Sequence, residues 1–289
     1  MPYAHPESLV STEWLAAHLD DPLVRVVDGS FKMPGVTPTA REDYDRQHIP
    51  GAVFFDIDEI ADTSSTLPHM LPDETKFASR MRKMGLGDGH RIVVYDGAGL
   101  MSAPRVWWTI RIFGHRNVAV LDGGQPKWLA EGRPVTAEVP RPRESHFTAH
   151  LDRSQVRDKA QMLANVQSRK EQVVDARAAP RFEGTVAEPR PGLRAGHIPG
   201  SRNLPFDRLS DPATKTVKSA EDLARLFDEA GIDPKAPLVA SCGSGVTASV
   251  LTFGWHLLGR PEAPVYDGSW SEWGLPGDTP VDTGPADKR

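Results

Sequence analysis

The chain has 289 residues, room for about two domains at roughly 150 residues each. Lys plus Arg total 34 against 39 for Asp plus Glu, a net charge of −5, which argues against nucleic acid as the main partner because phosphate binding needs clustered cations. Hydrophobic residues make up 39%, enough for a core in each domain, yet no apolar run approaches the roughly 18 residues of a membrane span. The start, Met1-Pro2-Tyr3-Ala4-His5-Pro6, shows no basic stretch followed by an apolar one, so a cytoplasmic protein is expected.

In chain order, Arg25-Val26-Val27 is a short β-branched strand ending at Asp28, followed by His48-Ile49-Pro50-Gly51. Gly85 stops a helix, and Ile92-Val93-Val94-Tyr95 forms a second strand that runs into Asp96-Gly97-Ala98-Gly99. Asp122-Gly123 and Trp128 come next. Pro134, Pro140 and Pro142 then mark extended surface chain up to His150. His146 and His150 have the spacing of two ligands on one helix face, but the proline-rich setting and the lack of an acidic partner make a metal site there a poor expectation.

After residue 150 the same landmarks return. Val173-Val174-Asp175 answers Val26-Val27-Asp28 at an offset of 147, and His197-Ile198-Pro199-Gly200 answers the first His-Ile-Pro-Gly at 149. Leu238-Val239-Ala240-Ser241-Cys242 answers the strand into Asp96 at 146, and Gly231 answers Gly85 at the same offset. Asp267-Gly268 and Trp273 repeat Asp122-Gly123 and Trp128 at 145. A helix with Ser219 as its cap precedes Leu223, Leu226 and Phe227. The chain therefore reads as a tandem duplication. The expected units are an N-terminal domain over 1–137, a linker over 138–150 and a C-terminal domain over 151–289. Short buried strands alternating with helices predict an α/β fold, each unit a mainly parallel sheet covered by helices on both faces.

Ligands of such sheets bind beyond the carboxyl ends of the strands. Cys242, the chain's single cysteine, stands there, which excludes an internal disulfide. A lone cysteine is ordinarily a small core residue. Here it opens Cys242-Gly243-Ser244-Gly245-Val246-Thr247-Ala248, a loop running into a helix. Its glycines let backbone N–H groups turn inward and favour a thiolate. Copy one has Asp96 in that place and is expected to be non-catalytic. His48, His197, Asp28 and Asp175 recur in both copies while the nucleophile does not, so they are expected to be structural; Trp107, Trp108 and Trp128 are expected in the core or an interface.

The tandem layout, the paired His-Ile-Pro-Gly segments, Tyr266-Asp267-Gly268-Ser269-Trp270 and the Cys242 loop resemble the two-domain rhodanese-like sulfurtransferases over nearly the whole chain. Within that family the loop is similar to that of the 3-mercaptopyruvate sulfurtransferases. Thiosulfate sulfurtransferases typically place basic residues directly after the cysteine, where this chain has Gly243 and Ser244. The resemblance implies substrate-binding arginines at Arg181 and Arg190, whose planar forks suit a carboxylate and its adjacent ketone. It also implies a proton relay of Asp58, His69 and Ser244. The expected activity is transfer of sulfur from 3-mercaptopyruvate through a Cys242 persulfide to a small thiol, cyanide or a thioredoxin-like protein, with pyruvate released and no metal or organic cofactor required. The alternatives are a thiosulfate:cyanide sulfurtransferase and a non-catalytic sulfur carrier. A Cys-x5-Arg phosphatase is disfavoured, because Ala248 stands where its arginine belongs.

Overall fold

The computed structural model describes residues 2–286. Copy one begins with β1 (Leu9–Val10) and α1 (Thr12–Ala17), then β2 (Val24–Asp28), α2 (Ala40–Arg46), β3 (Val53–Phe54) and α3 (Glu74–Lys83). It continues with β4 (Arg91–Tyr95), α4 (Ala103–Ile112), β5 (Val118–Leu121) and α5 (Gly124–Ala130). Copy two repeats the order: β6 (Val156–Arg157), α6 (Lys159–Ser168), β7 (Gln172–Asp175), α7 (Ala179–Phe182), β8 (Arg202–Asn203) and α8 (Ala220–Glu229). It ends with β9 (Leu238–Ser241), α9 (Ala248–Leu257), β10 (Val265–Tyr266) and α10 (Ser269–Trp273). Each copy is a five-stranded sheet, ordered β1-β5-β4-β2-β3 and β6-β10-β9-β7-β8, and every pairing is parallel. The two orders are the same order, as a duplication requires.

Alternation along the central strands puts core on both faces of each sheet. Ile92 and Val94 pack with Phe77 and Met81 of α3 and Val106 and Ile110 of α4, whereas Val93 and Tyr95 pack with Leu15 of α1, Tyr44 of α2 and Trp128 of α5. Copy two divides likewise: Val174 and Ala240 meet α8 and α9, and Val173 and Val239 meet Met162, Trp270 and Trp273. The α3 and α8 helices start on side-chain caps, Asp73 accepting from the Lys76 N–H and Ser219 from the Asp222 N–H. Gly85 and Gly231 follow their ends in the left-handed conformation.

The copies join through α4 and α9, where Trp107 meets Phe253 edge-on at 4.9 Å. One continuous cluster of buried side chains spans both. The stretch between the sheets is extended, as the prolines suggest, but it is not all surface chain. Phe147 is fully buried against Phe77, and Arg82 donates to its carbonyl at 2.9 and 3.1 Å, so the strand-less segment is strapped onto copy one. No helix among the described residues is long and apolar enough to cross a membrane.

Each copy also reaches over the other. The Leu71 N–H of copy one donates to Asp267 Oδ2 of copy two at 2.8 Å, and the Val217 N–H of copy two donates to Asp122 Oδ1 of copy one at 2.7 Å. Both amides follow by two residues a non-glycine residue at φ 62°, His69 in one copy and Lys215 in the other. This exchange is what carries His69 out of copy one and over the carboxyl end of the copy-two sheet.

Candidate active site

Cys242 follows β9 directly and is 2% exposed. The start of α10 fixes its loop. The Cys242 N–H donates to Ser269 Oγ (3.1 Å), the Trp270 N–H donates to the Cys242 carbonyl (3.0 Å), and the Ser271 N–H and hydroxyl donate to the Gly243 carbonyl (2.8 and 2.7 Å). Gly245 has φ +78°, and a Cβ there would lie 2.9 Å from both Arg105 Nη1 and the Asp267 carbonyl, so glycine is the residue that fits. Val246 is buried, and Thr247 is the N-cap position of α9.

The two copies explain each other at this loop. In copy one the Asp96 carboxylate sits where the sulfur would. Its Oδ1 accepts the N–H groups of Ala98 and Gly99, at 2.9 and 2.7 Å. Its Oδ2 accepts those of Met101, Ser102 and Ala103, at 2.9, 2.8 and 2.8 Å. These five donors correspond to Ser244, Gly245, Thr247, Ala248 and Ser249. The Ser249 N–H goes to the Val246 carbonyl at 3.3 Å, while the N–H groups of residues 243–248 find no acceptor among the described residues. Copy one thus fills an anion cradle with its own carboxylate, and copy two leaves four of the five corresponding N–H groups, in the loop that Cys242 opens, without an acceptor among the described residues. Inward-turned amides of this kind favour a thiolate and any negative charge that develops on a sulfur bonded to it.

Cations reach the loop from the far side of the site. Arg181, in α7, lies against Gly243: a Cβ built there would sit 3.1 Å from its Nη2. Glu188 holds that guanidinium at 2.5 Å and is itself held by Arg177 at 2.8 Å. Arg190 donates from Nη2 to His69 Nε2 at 3.2 Å. Burial lowers the Arg190 pKa; Cys242 opposes that shift and neighbouring Arg181 adds to it. Since a guanidinium has no acceptor, His69 Nε2 must accept here, which puts the ring proton on Nδ1; Nδ1 lies 2.7 Å from Asp58 Oδ1, close enough for an ion pair but out of line for a hydrogen bond. His69 in turn holds the exposed Asp58 carboxyl below the usual range, with Arg190 adding to the effect.

The structure therefore brings together Cys242, Arg181, Arg190, His69 and Asp58. Ser244 is 6% exposed and adjoins Cys242 in the loop, but no hydrogen bond joins it to His69 among the described residues; His69 is paired with Arg190 instead. His48 and His197 face the carbonyls of Tyr44 and Phe182 through Nδ1, at 2.7 and 2.8 Å, in equivalent structural roles. Sequence reasoning missed Glu188, Arg177 and the buried pair Arg105–Asp267. Arg105 Nη2 donates to Asp267 Oδ1 and to the His69 carbonyl, both at 2.7 Å, and Nη1 reaches the Gly245 carbonyl at 3.4 Å. The one signal for these was the recurrence of Asp122 as Asp267.

Two parallel five-stranded units, one cysteine loop and a counterpart loop with Asp96 in the cysteine's place define a two-domain sulfurtransferase architecture. The rhodanese-like domain family matches residues 11–131 and 158–275, and the chain belongs to it. The rat 3-mercaptopyruvate sulfurtransferase (Rattus norvegicus) is 45% identical over 272 residues, covering 92% of this chain and 91% of the relative. The thiosulfate sulfurtransferase of Cricetulus griseus is 47% identical over 274 residues, with the same coverage of 92% and 91%. The crystal structure of SseA from Escherichia coli, a 3-mercaptopyruvate sulfotransferase, superposes with a TM-score of 0.83 at 37% identity, covering 92% of this chain and 99% of that one. The chain is a sulfurtransferase. Overall identity does not separate the two donor classes.

Proposed function

We propose that this sulfurtransferase takes sulfur from 3-mercaptopyruvate through a persulfide on Cys242. One observation carries the choice of donor. The loop positions after Cys242 are the uncharged Gly243 and Ser244, and the cations come from Arg181 and Arg190. Thiosulfate is a compact dianion that benefits from cations beside the attacked sulfur. 3-Mercaptopyruvate carries its charge on a carboxylate several bonds away, where Arg190 and Arg181 can hold it and the neighbouring ketone.

In the proposed reaction the Cys242 thiolate attacks the donor sulfur. An S–S bond forms, the C–S bond breaks, and its electron pair leaves with carbon as the enolate of pyruvate, which takes a proton. Cys242 keeps the outer sulfur, whose charge the loop amides stabilise. Once the donor carboxylate draws Arg190 off its Nε2, His69 exchanges the proton there, with Asp58 beside its Nδ1 and the Ser244 hydroxyl as the carrier beside the sulfur. A small thiol, cyanide or a thioredoxin-like protein then removes the sulfur and regenerates the thiolate.

The test is parallel steady-state kinetics with 3-mercaptopyruvate and thiosulfate, together with mass spectrometry of Cys242→Ser. The wild type is expected to favour 3-mercaptopyruvate in kcat/KM and to gain one sulfur, the variant none. Preference for thiosulfate would overturn the donor, and activity surviving in the variant would overturn the mechanism, because the chain has no other cysteine. Thiosulfate remains the second donor because of the 47% identity to a thiosulfate sulfurtransferase.

A further inference from the structure

Glu188 is 2% exposed at its side chain and serves two arginines at once. Its Oε1 accepts from Arg177 Nη1 at 2.8 Å and from Arg181 Nε at 3.3 Å, and its Oε2 accepts from Arg181 Nη2 at 2.5 Å. Arg177 cannot follow a moving partner. Its side chain is fully buried, Asp175 grips it with contacts of 2.7 and 3.1 Å, the Gly196 carbonyl takes Nη2 at 2.8 Å, and its guanidinium lies 4.3 Å over the Trp270 ring. Glu188 is thus pinned from behind, and it pins Arg181 in front.

The charges of this chain of contacts cancel: Asp175 and Glu188 against Arg177 and Arg181. Arg181 therefore meets the Cys242 loop as a guanidinium already neutralised by its neighbour. Arg190 differs, since among the described residues it makes no direct contact with a carboxylate. The uncancelled cation of the site stands at Arg190, not at the loop.

We infer that Glu188 is a specificity-determining positioning residue: it fixes Arg181 against Gly243 while cancelling its charge, and so keeps the sulfur loop unattractive to a dianion attacked at its terminal sulfur. The inference deepens the proposed function and rests on its assignment of Cys242 and of the two donor classes.

Glu188→Gln tests it with little change of shape. The amide oxygen can serve Arg177, but the amide nitrogen then faces Arg181 donor to donor, and the four-residue cluster changes from neutral to +1. The ratio of kcat/KM for thiosulfate to that for 3-mercaptopyruvate is expected to rise at least fivefold, and the rise to shrink with added salt. Alkylation of Cys242 by neutral iodoacetamide is expected to begin at lower pH. Glu188→Asp, which keeps the charge, is expected to hold the wild-type ratio. A merely structural role would lower both donors together and leave the ratio and the alkylation profile where they were; that result overturns the inference. Should Glu188→Gln fail to fold, Arg181→Gln carries the test with the opposite sign, because the cluster then becomes −1. Its alkylation profile is expected to move to higher pH, and an unmoved profile overturns the inference. A wild type that prefers thiosulfate would instead overturn the proposed donor, and the variants would still report on Glu188.

Discussion

Asp96 offers a direct measurement of what the amide cradle contributes. Replacing it with asparagine preserves shape and removes the charge. The amide oxygen can keep the three N–H donors now on Oδ2, but its nitrogen then confronts the other two, which now lie 2.7 and 2.9 Å from Oδ1. Asp96 is fully buried, so water cannot replace the lost acceptor. Hydrogen bonds to a charged group contribute about 1.5–3 kcal/mol each. After the loop relaxes, the loss is expected to be about 3–5 kcal/mol, the range found when one side of a buried charged arrangement is removed. For a protein of this size that lowers the thermal midpoint by on the order of 10 °C. Urea and thermal unfolding followed by tryptophan fluorescence would read it, since Trp107, Trp108 and Trp128 all lie in copy one. Sulfur transfer per folded molecule should survive, because the cradle proposed to serve catalysis is in the other copy. A loss under about 1 kcal/mol would mean that these amides hold no anion worth the name, and the same geometry around Cys242 could then not be credited with stabilising a thiolate.

His69→Asn is expected to lower kcat by about 10²–10⁴-fold, the usual range for a lost acid–base group, with a smaller effect on KM. A loss under threefold across pH 6–9 would leave the residue structural. Acid sensitivity has a separate source at the domain junction, where burial lowers the His256 pKa from 6.5 to about 3, Arg111 assisting. A depressed folded value means that below pH 6.5 the unfolded chain takes a proton the folded chain refuses. Stability is therefore lost as pH falls through the window from 6.5 toward 3, by up to about 1.4 kcal/mol per unit. His256→Asn should flatten the fall of the unfolding midpoint between pH 6.5 and 5; an identical slope in the variant would place the acid sensitivity elsewhere.

The duplication made much of the fold readable, because a pattern seen twice constrains itself. Val26-Val27 and Ile92-Val93-Val94-Tyr95 could each have been a buried helix segment, but their return before Asp175 and Cys242 fixed them as strands of one repeated sheet. The Cys242 loop was equally visible, since its glycines and the following helix are local. What stayed hidden was long-range and polar. Glu188 and Arg177 look like loop charges in sequence, and only the fold shows them closed into one buried chain of ion pairs. Asp58 and His69 were placed by family resemblance; what sequence could not show was that Arg190, not Ser244, would be the hydrogen-bonded neighbour of the imidazole. Phe147 was masked by the prolines before it, whose extended chain proved compatible with one deeply buried anchor.

Arg105 tests whether the exchange between copies is itself part of the site. Its side chain and that of Asp267 are 3% and 4% exposed, and the pair ties together the His69 carbonyl, the Gly245 carbonyl and, through Asp267, the Leu71 amide. The duplication supplies the natural comparison. Leu251 stands at the matching place of copy two, and Asp122, the counterpart of Asp267, caps the Val217 amide. Burial pushes the Asp122 carboxyl up, as expected where a carboxylate has lost much of its water. Arg105→Leu copies that arrangement into the side that carries Cys242. It strands Asp267 as a buried charge, so the cost is expected at about 3–5 kcal/mol, and kcat should fall because the backbone of His69 loses its anchor. Adding Asp267→Asn removes the stranded charge and should restore a good part of the stability, while kcat stays low, because the His69 carbonyl remains untied. A double variant no more stable than the single one would show that the cost lies in packing, not charge. A double variant with full kcat would show that His69 needs no such support, and that the contact between the copies stabilises the fold without positioning the chemistry.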